Sequence, residues 1–168
     1  TKELGKKLIS TFGALAEGVN APDQSRQEVE GVGHSGSTEL RLIRAATLRL
    51  VRSNVIGRPA MSSWKQVLEY LSAAQSWEHR EQFRVLFLDK KNQLIADEVM
   101  NRGTVDHAPV YPREVMRRAL ELSASAVILV PNHPSGDPTP STADIDMTRH
   151  VVDAGRSLGI AVPAPLIP

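Results

Sequence analysis

The fold is decided by the stretch Asn132-His133-Pro134-Ser135-Gly136-Asp137-Pro138-Thr139-Pro140-Ser141-Thr142-Ala143-Asp144. It follows the apolar run Ala126-Val127-Ile128-Leu129-Val130, which predicts a buried strand. Its prolines and glycine predict a stiff loop, and an amphipathic helix is predicted to begin at its end. A buried strand therefore delivers His133 into the loop, and the next helix brings back Ser141 and Asp144.

The residue types in this stretch indicate a hydrolytic metal site. Catalytic zinc is held by protein ligands that leave one position open for water, and a nearby base takes the proton of that water. His133 and Asp144 can face one cleft in this way. The chain has no cysteine, so thiolate ligands and disulfides are excluded, and any metal must be held by histidine, carboxylate and water.

The spacing from Ser141 to Asp144 has a second interpretation that needs no chemistry. A serine followed three residues later by an acidic residue is typical of a capping box at the start of a helix. The two roles are compatible, since a serine that caps a helix is also held rigidly.

The rest of the C-terminal part alternates between strand and helix patterns. This alternation predicts an α/β (α+β) fold with a mixed β-sheet flanked by helices. The predicted elements are strands at 83–88, 93–100, 126–130 and 160–162 and helices after about 63, at about 112–123 and at about 142–158.

The N-terminal part predicts helices only. A helix over 2–16 is expected to stop at Gly18, and two helices are expected to be joined by the turn Val29-Glu30-Gly31-Val32-Gly33.

Charge also divides the chain. Residues 1–60 hold nine Lys/Arg and six Asp/Glu, a net +3, whereas residues 61–168 hold eleven and thirteen, a net −2. We therefore predict a helical module at 1–56 and a second domain at 57–168, with the linker near 54–62.

Several motifs resemble those of a known family. The spacing His-Pro-x6-Ser-x2-Asp is similar to the JAMM (MPN+) metallopeptidase motif, and the fuller string from Asn132 to Asp144 resembles that of the RadC family, named for DNA repair. Further segments that resemble this family follow in the same order: Phe12-Gly13, 29–33, 81–89, 102–105 and 111–114.

The resemblance implies a JAMM/MPN (cytidine-deaminase-like) core in the second domain. It also implies a zinc ion held by both histidines of a His-x-His pair and a downstream aspartate, with water as the fourth ligand. Carried over to this chain, His133 and Asp144 are metal ligands and Ser141 stabilises the oxyanion. The upstream glutamate that acts as base corresponds to Glu81, with Glu78 as the weaker alternative.

The sequence departs from the family pattern in two places. The first histidine of His-x-His is replaced by Pro131, and Ala164-Pro165 stand where the family has an Asp-His pair. Proline offers no lone pair to a metal, so zinc affinity should fall by orders of magnitude. His107 could supply a replacement ligand, although its spacing gives no reason to place it there. We expect hydrolase activity to be weak or lost.

The N-terminal module resembles a helix–hairpin–helix. In such modules a Gly-x-Gly turn, here Gly31 and Gly33, brings backbone N–H groups close to a phosphate. Arg41 and Arg44 follow and are candidate DNA contacts, with binding that is non-specific and salt-sensitive. The alternative is a hairpin that serves only in packing, with its arginines solvated. The aromatic content of 4% keeps this alternative open, because few side chains are available to stack on bases.

These observations leave three functional hypotheses. The first is a metal-dependent hydrolase that cleaves an amide or isopeptide bond in a protein or peptide. The second is a non-catalytic domain that binds DNA or protein in repair or recombination. The third is a metal nuclease, and it has the least support because the sequence shows no second acidic cluster that would indicate a two-metal site.

The location of the protein is also an expectation from the sequence. No apolar run is long enough to span a membrane and residues 1–7 lack the apolar core of a signal peptide, so we expect no membrane partner and a cytoplasmic protein. We also expect a fragment or trimmed chain, because the first residue is not methionine and the sequence stops abruptly at Pro168.

Overall fold

A computed structural model describes residues 2–60, 62–75, 81–102, 110–133 and 139–165. The chain divides into two compact units, Thr1–Val51 and Arg52–Pro168. Residues 52–56, which we had assigned to the N-terminal module, are thus grouped with the second unit. No helix within the described ranges has the length and apolar character needed to cross a membrane.

The N-terminal unit is helical, as predicted. Its first helix ends earlier than expected, at Phe12, because the backbone of the following Gly13 has φ 89° and leaves the helical region. Gly18 does not stop that helix; it is a buried residue inside the next one. The helices are α1 (Lys2–Phe12), α2 (Leu15–Asn20), α3 (Asp23–Gln27) and α4 (Gly33–Ser53).

A buried arginine holds this unit together. Arg26 is 4% exposed. It donates to the carbonyl of Val19 at 2.6 Å, to the hydroxyl of Ser37 at 3.1 Å and to the carboxylate of Asp23. The hydrogen bond from Arg26 is the main reason that the pKa of the Asp23 carboxyl lies below its usual range. A separate apolar cluster is formed by Leu8, Val29 and Val32.

The second unit has the predicted α/β fold. The hairpin, the helix that begins at Pro112, the buried strand and the final helix all form close to their predicted bounds. The elements are α5 (Trp64–Gln75), β1 (Gln82–Leu88), β2 (Leu94–Arg102), α6 (Pro112–Glu121), β3 (Ala126–Pro131) and α7 (Thr142–Arg156).

The three strands form one sheet in the order β2-β1-β3, and both pairings are antiparallel. Among the described residues, parallel pairing is limited to isolated bridges, between Ile56 and Leu94 and between Ala126 and Ala161. The strand predicted at 160–162 is thus reduced to the bridge at Ala161.

The predicted linker is bound to the sheet. Gly57 N donates to Leu94 O at 2.8 Å, Leu94 N donates to Arg58 O at 3.1 Å, and Ala60 N donates to Asn92 O at 2.7 Å. These backbone bonds make residues 57–60 part of the second unit rather than a free connection.

The sheet is covered on both faces. One face carries alternate side chains of β1 and β3, which join α6 and α7 in a single core whose buried members include Val85, Leu129, Val115 and Val151. On the other face α5 contacts the sheet, where Gln75 Nε2 donates to Val130 O at 3.3 Å. The candidate residues lie where β3 ends and α7 begins.

Candidate functional site

Pro131 is the last residue of β3 and lies opposite Phe83 of β1. It is buried. The N–H of Val127 points away from β1, since it donates to Ala161 O at 2.9 Å. N–H groups alternate in direction along a strand, so the nitrogen of Pro131 also faces away from β1 and no hydrogen bond between β1 and β3 is lost. A proline is therefore accommodated here, on the same side of the sheet as Leu129.

His133 and Asp144 are in direct contact. His133 Nε2 lies 3.0 Å from Asp144 Oδ2, and the two side chains are 15% and 14% exposed. The structure thus brings both predicted ligands together, His133 from the end of β3 and Asp144 from the first turn of α7.

Ser141 completes this cluster. Its backbone N–H and its hydroxyl both donate to Asp144 Oδ2, at 2.8 Å and 2.6 Å, while its oxygen accepts from the backbone N–H of Asp144 at 3.1 Å. This is the predicted capping box, and it is confirmed. One carboxylate oxygen therefore accepts from Ser141 twice and contacts His133 as well.

The separation of the His133 and Asp144 side chains can be compared with that of two ligands of one zinc ion. Ligand atoms about 2.0–2.1 Å from a tetrahedral ion lie roughly 3.3 Å from each other. The 3.0 Å separation of His133 Nε2 and Asp144 Oδ2 is close to that value. A catalytic site needs three protein ligands, however, and Pro131 provides none. Within the ranges that the structure describes, no group of three or more His, Cys, Asp or Glu could hold a metal. The described donor set is one short of a catalytic zinc site.

The predicted base is not part of this cluster. Glu81 is half-buried and directly precedes β1. No hydrogen bond or ion pair between described residues connects it with His133, Asp144 or Ser141. The alternative base Glu78 and the alternative ligand His107 lie outside the described residues, whereas Ala164 and Pro165 form irregular chain after the bridge at Ala161.

Asn132 is a further residue next to the cluster, and motif spacing assigns it no role. Its side chain is buried at 5% exposure, and its Oδ1 accepts a hydrogen bond from the backbone N–H of Gln82. A polar residue directly after an apolar strand could have drawn attention to it, because a buried amide is expected to have hydrogen-bond partners.

The candidate DNA contacts all belong to the N-terminal unit. Gly31 lies in the turn before α4 and Gly33 is the first residue of that helix, with φ 91° and 53°. The side chain of Arg41 is 63% exposed and lies 3.4 Å from Asp23 Oδ2, and Arg44 is half-buried. A Gly-x-Gly turn between two helices is thus present, although such a turn alone does not show a helix–hairpin–helix.

Comparison with known families identifies the family of the second unit. A family model described as the RadC-like JAB domain matches residues 61–167, which are 107 of the 168 residues. The match includes the whole sheet and the cluster of His133, Ser141 and Asp144. Since it covers more than half of the chain, the protein belongs to the RadC family.

Proposed function

We propose that this chain acts as a RadC-like protein in association with DNA repair, and that Pro131 impairs its JAMM-type zinc hydrolase activity. The observation that carries the proposal is the arrangement of donors. His133 and Asp144 lie at ligand-like separation, and the third ligand position is a buried proline.

The energetic argument concerns one missing ligand. Changes in the groups that only orient the ligands of a metal already cost roughly 10–100-fold in affinity or activity. The loss of a ligand itself is expected to cost more. Asp144 Oδ2 also accepts two hydrogen bonds from Ser141, and its contact with His133 would be replaced if a metal entered. In this chain we expect the cluster to serve chiefly in fixing the start of α7.

Metal analysis of the purified chain beside Pro131→His tests the proposal. We expect well below one zinc per unaltered chain and close to one zinc in the variant, because a histidine at 131 would lie on the side of the sheet that α7 covers. Pro131→Ala is the matched control, since it removes the ring without adding a donor and should gain no zinc.

Either of two results would count against the proposal. Stoichiometric zinc in the unaltered chain would contradict the impaired site. A folded Pro131→His variant without zinc would contradict the ligand geometry. The double variant with His133→Ala should lose the zinc again, and if it keeps the metal then His133 is not a ligand.

The proposed substrate class follows from the resemblance to the JAMM metallopeptidase motif. JAMM-type sites act on amide or isopeptide bonds, so Pro131→His loaded with zinc is expected to cleave a peptide substrate that the unaltered chain leaves intact. The change Glu81→Gln in the Pro131→His background should then abolish cleavage while zinc content stays constant. Unchanged cleavage would exclude Glu81 as the base.

A second candidate function is sequence-independent DNA binding by the N-terminal unit. It is supported by the Gly31–Gly33 turn, whose last residue begins the 21-residue helix α4, and by the exposed side chain of Arg41. Duplex affinity should fall steeply with salt and should weaken when Gly31 and Gly33 are changed to bulky residues. Arg149→Gln in the second unit is the control. Unchanged duplex binding by the folded glycine variants would count against this function.

A further inference from the structure

We propose that Asn132 is a positioning residue that fixes the start of β1, and with it Glu81, against the end of β3 and His133. We call the contact between Asn132 and Gln82 the clamp. Its existence does not depend on the proposed function, whereas the catalytic importance of Glu81 and His133 rests on it.

In the clamp, Asn132 and Gln82 form an antiparallel pair in which a side-chain oxygen replaces one of the two backbone acceptors. Two residues that form a hydrogen-bonded antiparallel pair normally exchange two bonds between their backbones. Here the N–H of Asn132 donates to the carbonyl of Gln82 at 3.2 Å, as expected. The N–H of Gln82, however, donates to the side-chain Oδ1 of Asn132. The carboxamide therefore takes the place of a backbone carbonyl.

Because the carboxamide of Asn132 accepts from Gln82, β3 can end here without loss of a hydrogen bond. Since the side chain of Asn132 satisfies Gln82, its backbone carbonyl does not have to face β1. The chain can leave the sheet after Pro131, where β3 ends. His133 is then carried towards Asp144, to which it is hydrogen-bonded.

Burial makes the side chain at 132 hard to replace. Asn132 and Gln82 are 5% and 4% exposed, so a Gln82 N–H without a partner would be shielded from water, which is unfavourable. Alanine offers no acceptor. Glutamine offers the same carboxamide one methylene farther from the backbone.

The two partners of this pair are the immediate neighbours of the candidate functional residues. Gln82 follows Glu81, and Asn132 precedes His133. A base must stay within hydrogen-bond reach of the proton it removes, and small errors of position reduce catalysis strongly. The clamp ties the two segments together at this end of the sheet, next to the pair of Phe83 and Pro131.

The first test measures local hydrogen exchange in the whole chain by NMR. In Asn132→Ala we expect the amide of Gln82 to exchange at least tenfold faster relative to that of Leu86, in the middle of the same strand. The matched control is Gln75→Ala, which removes another buried side-chain amide bonded to β3. It should leave the ratio of the two rates unchanged.

The ratio separates a local from a global effect. A general loss of stability raises both exchange rates, whereas loss of the clamp raises that of Gln82 selectively. An unchanged ratio in Asn132→Ala would overturn the proposal. If that variant does not fold, Asn132→Gln replaces it, with the same selective rise expected and an unchanged ratio again decisive.

Two further readouts address positioning. The backbone order parameter of Glu81 should fall in Asn132→Ala and stay constant in Gln75→Ala, and a constant value in both variants would overturn the role assigned to Glu81. In the Pro131→His background, Asn132→Ala should weaken Co²⁺ binding at least tenfold and change the visible absorption of the bound ion.

Failure of the clamp and failure of the proposed function can be told apart. If Pro131→His binds no Co²⁺, the ligand geometry is wrong, and the exchange rates in the unaltered background still decide the role of Asn132. If Co²⁺ binds and its affinity and spectrum do not respond to Asn132→Ala, Asn132 does not position His133.

Discussion

The hydroxyl of Tyr70 donates a hydrogen bond to the buried carboxylate of Asp97 and so ties α5 to the sheet. On the same carboxylate, Arg84 Nη1 lies 2.8 Å and 2.7 Å from the two oxygens. The side chains of Asp97 and Arg84 are 1% and 12% exposed. Three polar groups from α5, β1 and β2 therefore share one buried site on the face of the sheet opposite α6 and α7.

The first prediction concerns alkaline pH. Burial, followed by the negative charge of Asp97 and its hydrogen bond, raises the pKa of Tyr70 to about 12. An unfolded chain loses this proton near its ordinary pKa of about 10, so the unfolded state binds fewer protons between pH 10 and 12. The contribution of Tyr70 to stability is thus complete below pH 10 and is lost as the pH rises towards 12, by up to about 1.4 kcal/mol per pH unit.

Urea unfolding of the unaltered chain and of Tyr70→Phe between pH 8 and 11.5 checks this expectation. The free energy of unfolding should fall more steeply above pH 10 in the unaltered chain than in Tyr70→Phe. Tyr111→Phe, which changes the exposed second tyrosine, is the control and should keep the steep fall. Parallel curves for all three proteins would contradict the raised pKa of Tyr70.

The second prediction concerns the buried ion pair. Arg84→Met leaves the carboxylate of Asp97 buried without its cation, which is expected to cost about 3–5 kcal/mol of unfolding free energy. Arg149→Met removes an exposed arginine that pairs with Asp146 at 3.2 Å and is expected to cost less than about 0.5 kcal/mol. If chemical denaturation shows that Arg84→Met and Arg149→Met lose equal free energy of unfolding, burial does not strengthen the ion pair of Arg84.

The third prediction concerns the start of α7. Ser141→Ala removes the capping oxygen and is expected to cost about 1 kcal/mol, whereas Ser141→Gly should cost only a few tenths of a kcal/mol. The neighbouring Thr142→Ala, at an exposed position, serves as the control and should stay within about 0.5 kcal/mol. Thermal or urea unfolding gives these values. A larger loss for Thr142→Ala than for Ser141→Ala would speak against the capping box.

The fourth prediction compares two glycines near the end of α7. A Cβ on Gly155 would lie 2.7 Å from the carbonyl oxygen of Ile160 and 3.1 Å from Val162 Cγ2. Gly159 has open space around it, but its φ of 68° is one that side chains disfavour. Gly155→Ala should therefore destabilise by crowding, and Gly159→Ala by strain, each by about 1–2 kcal/mol.

Asparagine separates the two causes. Asn tolerates positive φ, so Gly159→Asn should recover part of the loss seen with Gly159→Ala. Gly155→Asn should be worse than Gly155→Ala, because its side chain is larger. If the unfolding free energies show Asn to be better than Ala at both positions, or worse at both, the distinction between crowding at Gly155 and strain at Gly159 is wrong.

The α/β fold could be predicted from the sequence because its signals are local. Apolar runs such as Phe83–Leu88 cannot stay exposed, and Pro112 and Ser141 mark helix starts by their own backbone and side-chain chemistry. The wrong helix end at Gly18 has an equally local reason. Two glycines lie close together, and only the φ of 89° at Gly13 shows which of them ends the helix.

Other features depend on contacts between distant segments. The order of the strands, the attachment of residues 57–60 to β2 and the site shared by Tyr70 and Asp97 join residues that are far apart in sequence. The pairing of His133 with Asp144 could be anticipated only through motif spacing. The partner of the buried Asn132 side chain, Gln82, could not be anticipated, since it depends on the register of β1 against β3.

Pro131 also changes the edge of the sheet. β3 is an outer strand, and among the described residues its free side pairs only with Ala161. Pro131, the last residue of the strand, has no N–H on this side, so its burial leaves no backbone donor without an acceptor. The residue that stands at the proposed ligand position therefore also spares this buried edge an unpaired donor. In Pro131→His that N–H is present at a buried position, and it must find an acceptor or lower the free energy of unfolding by about 1–3 kcal/mol.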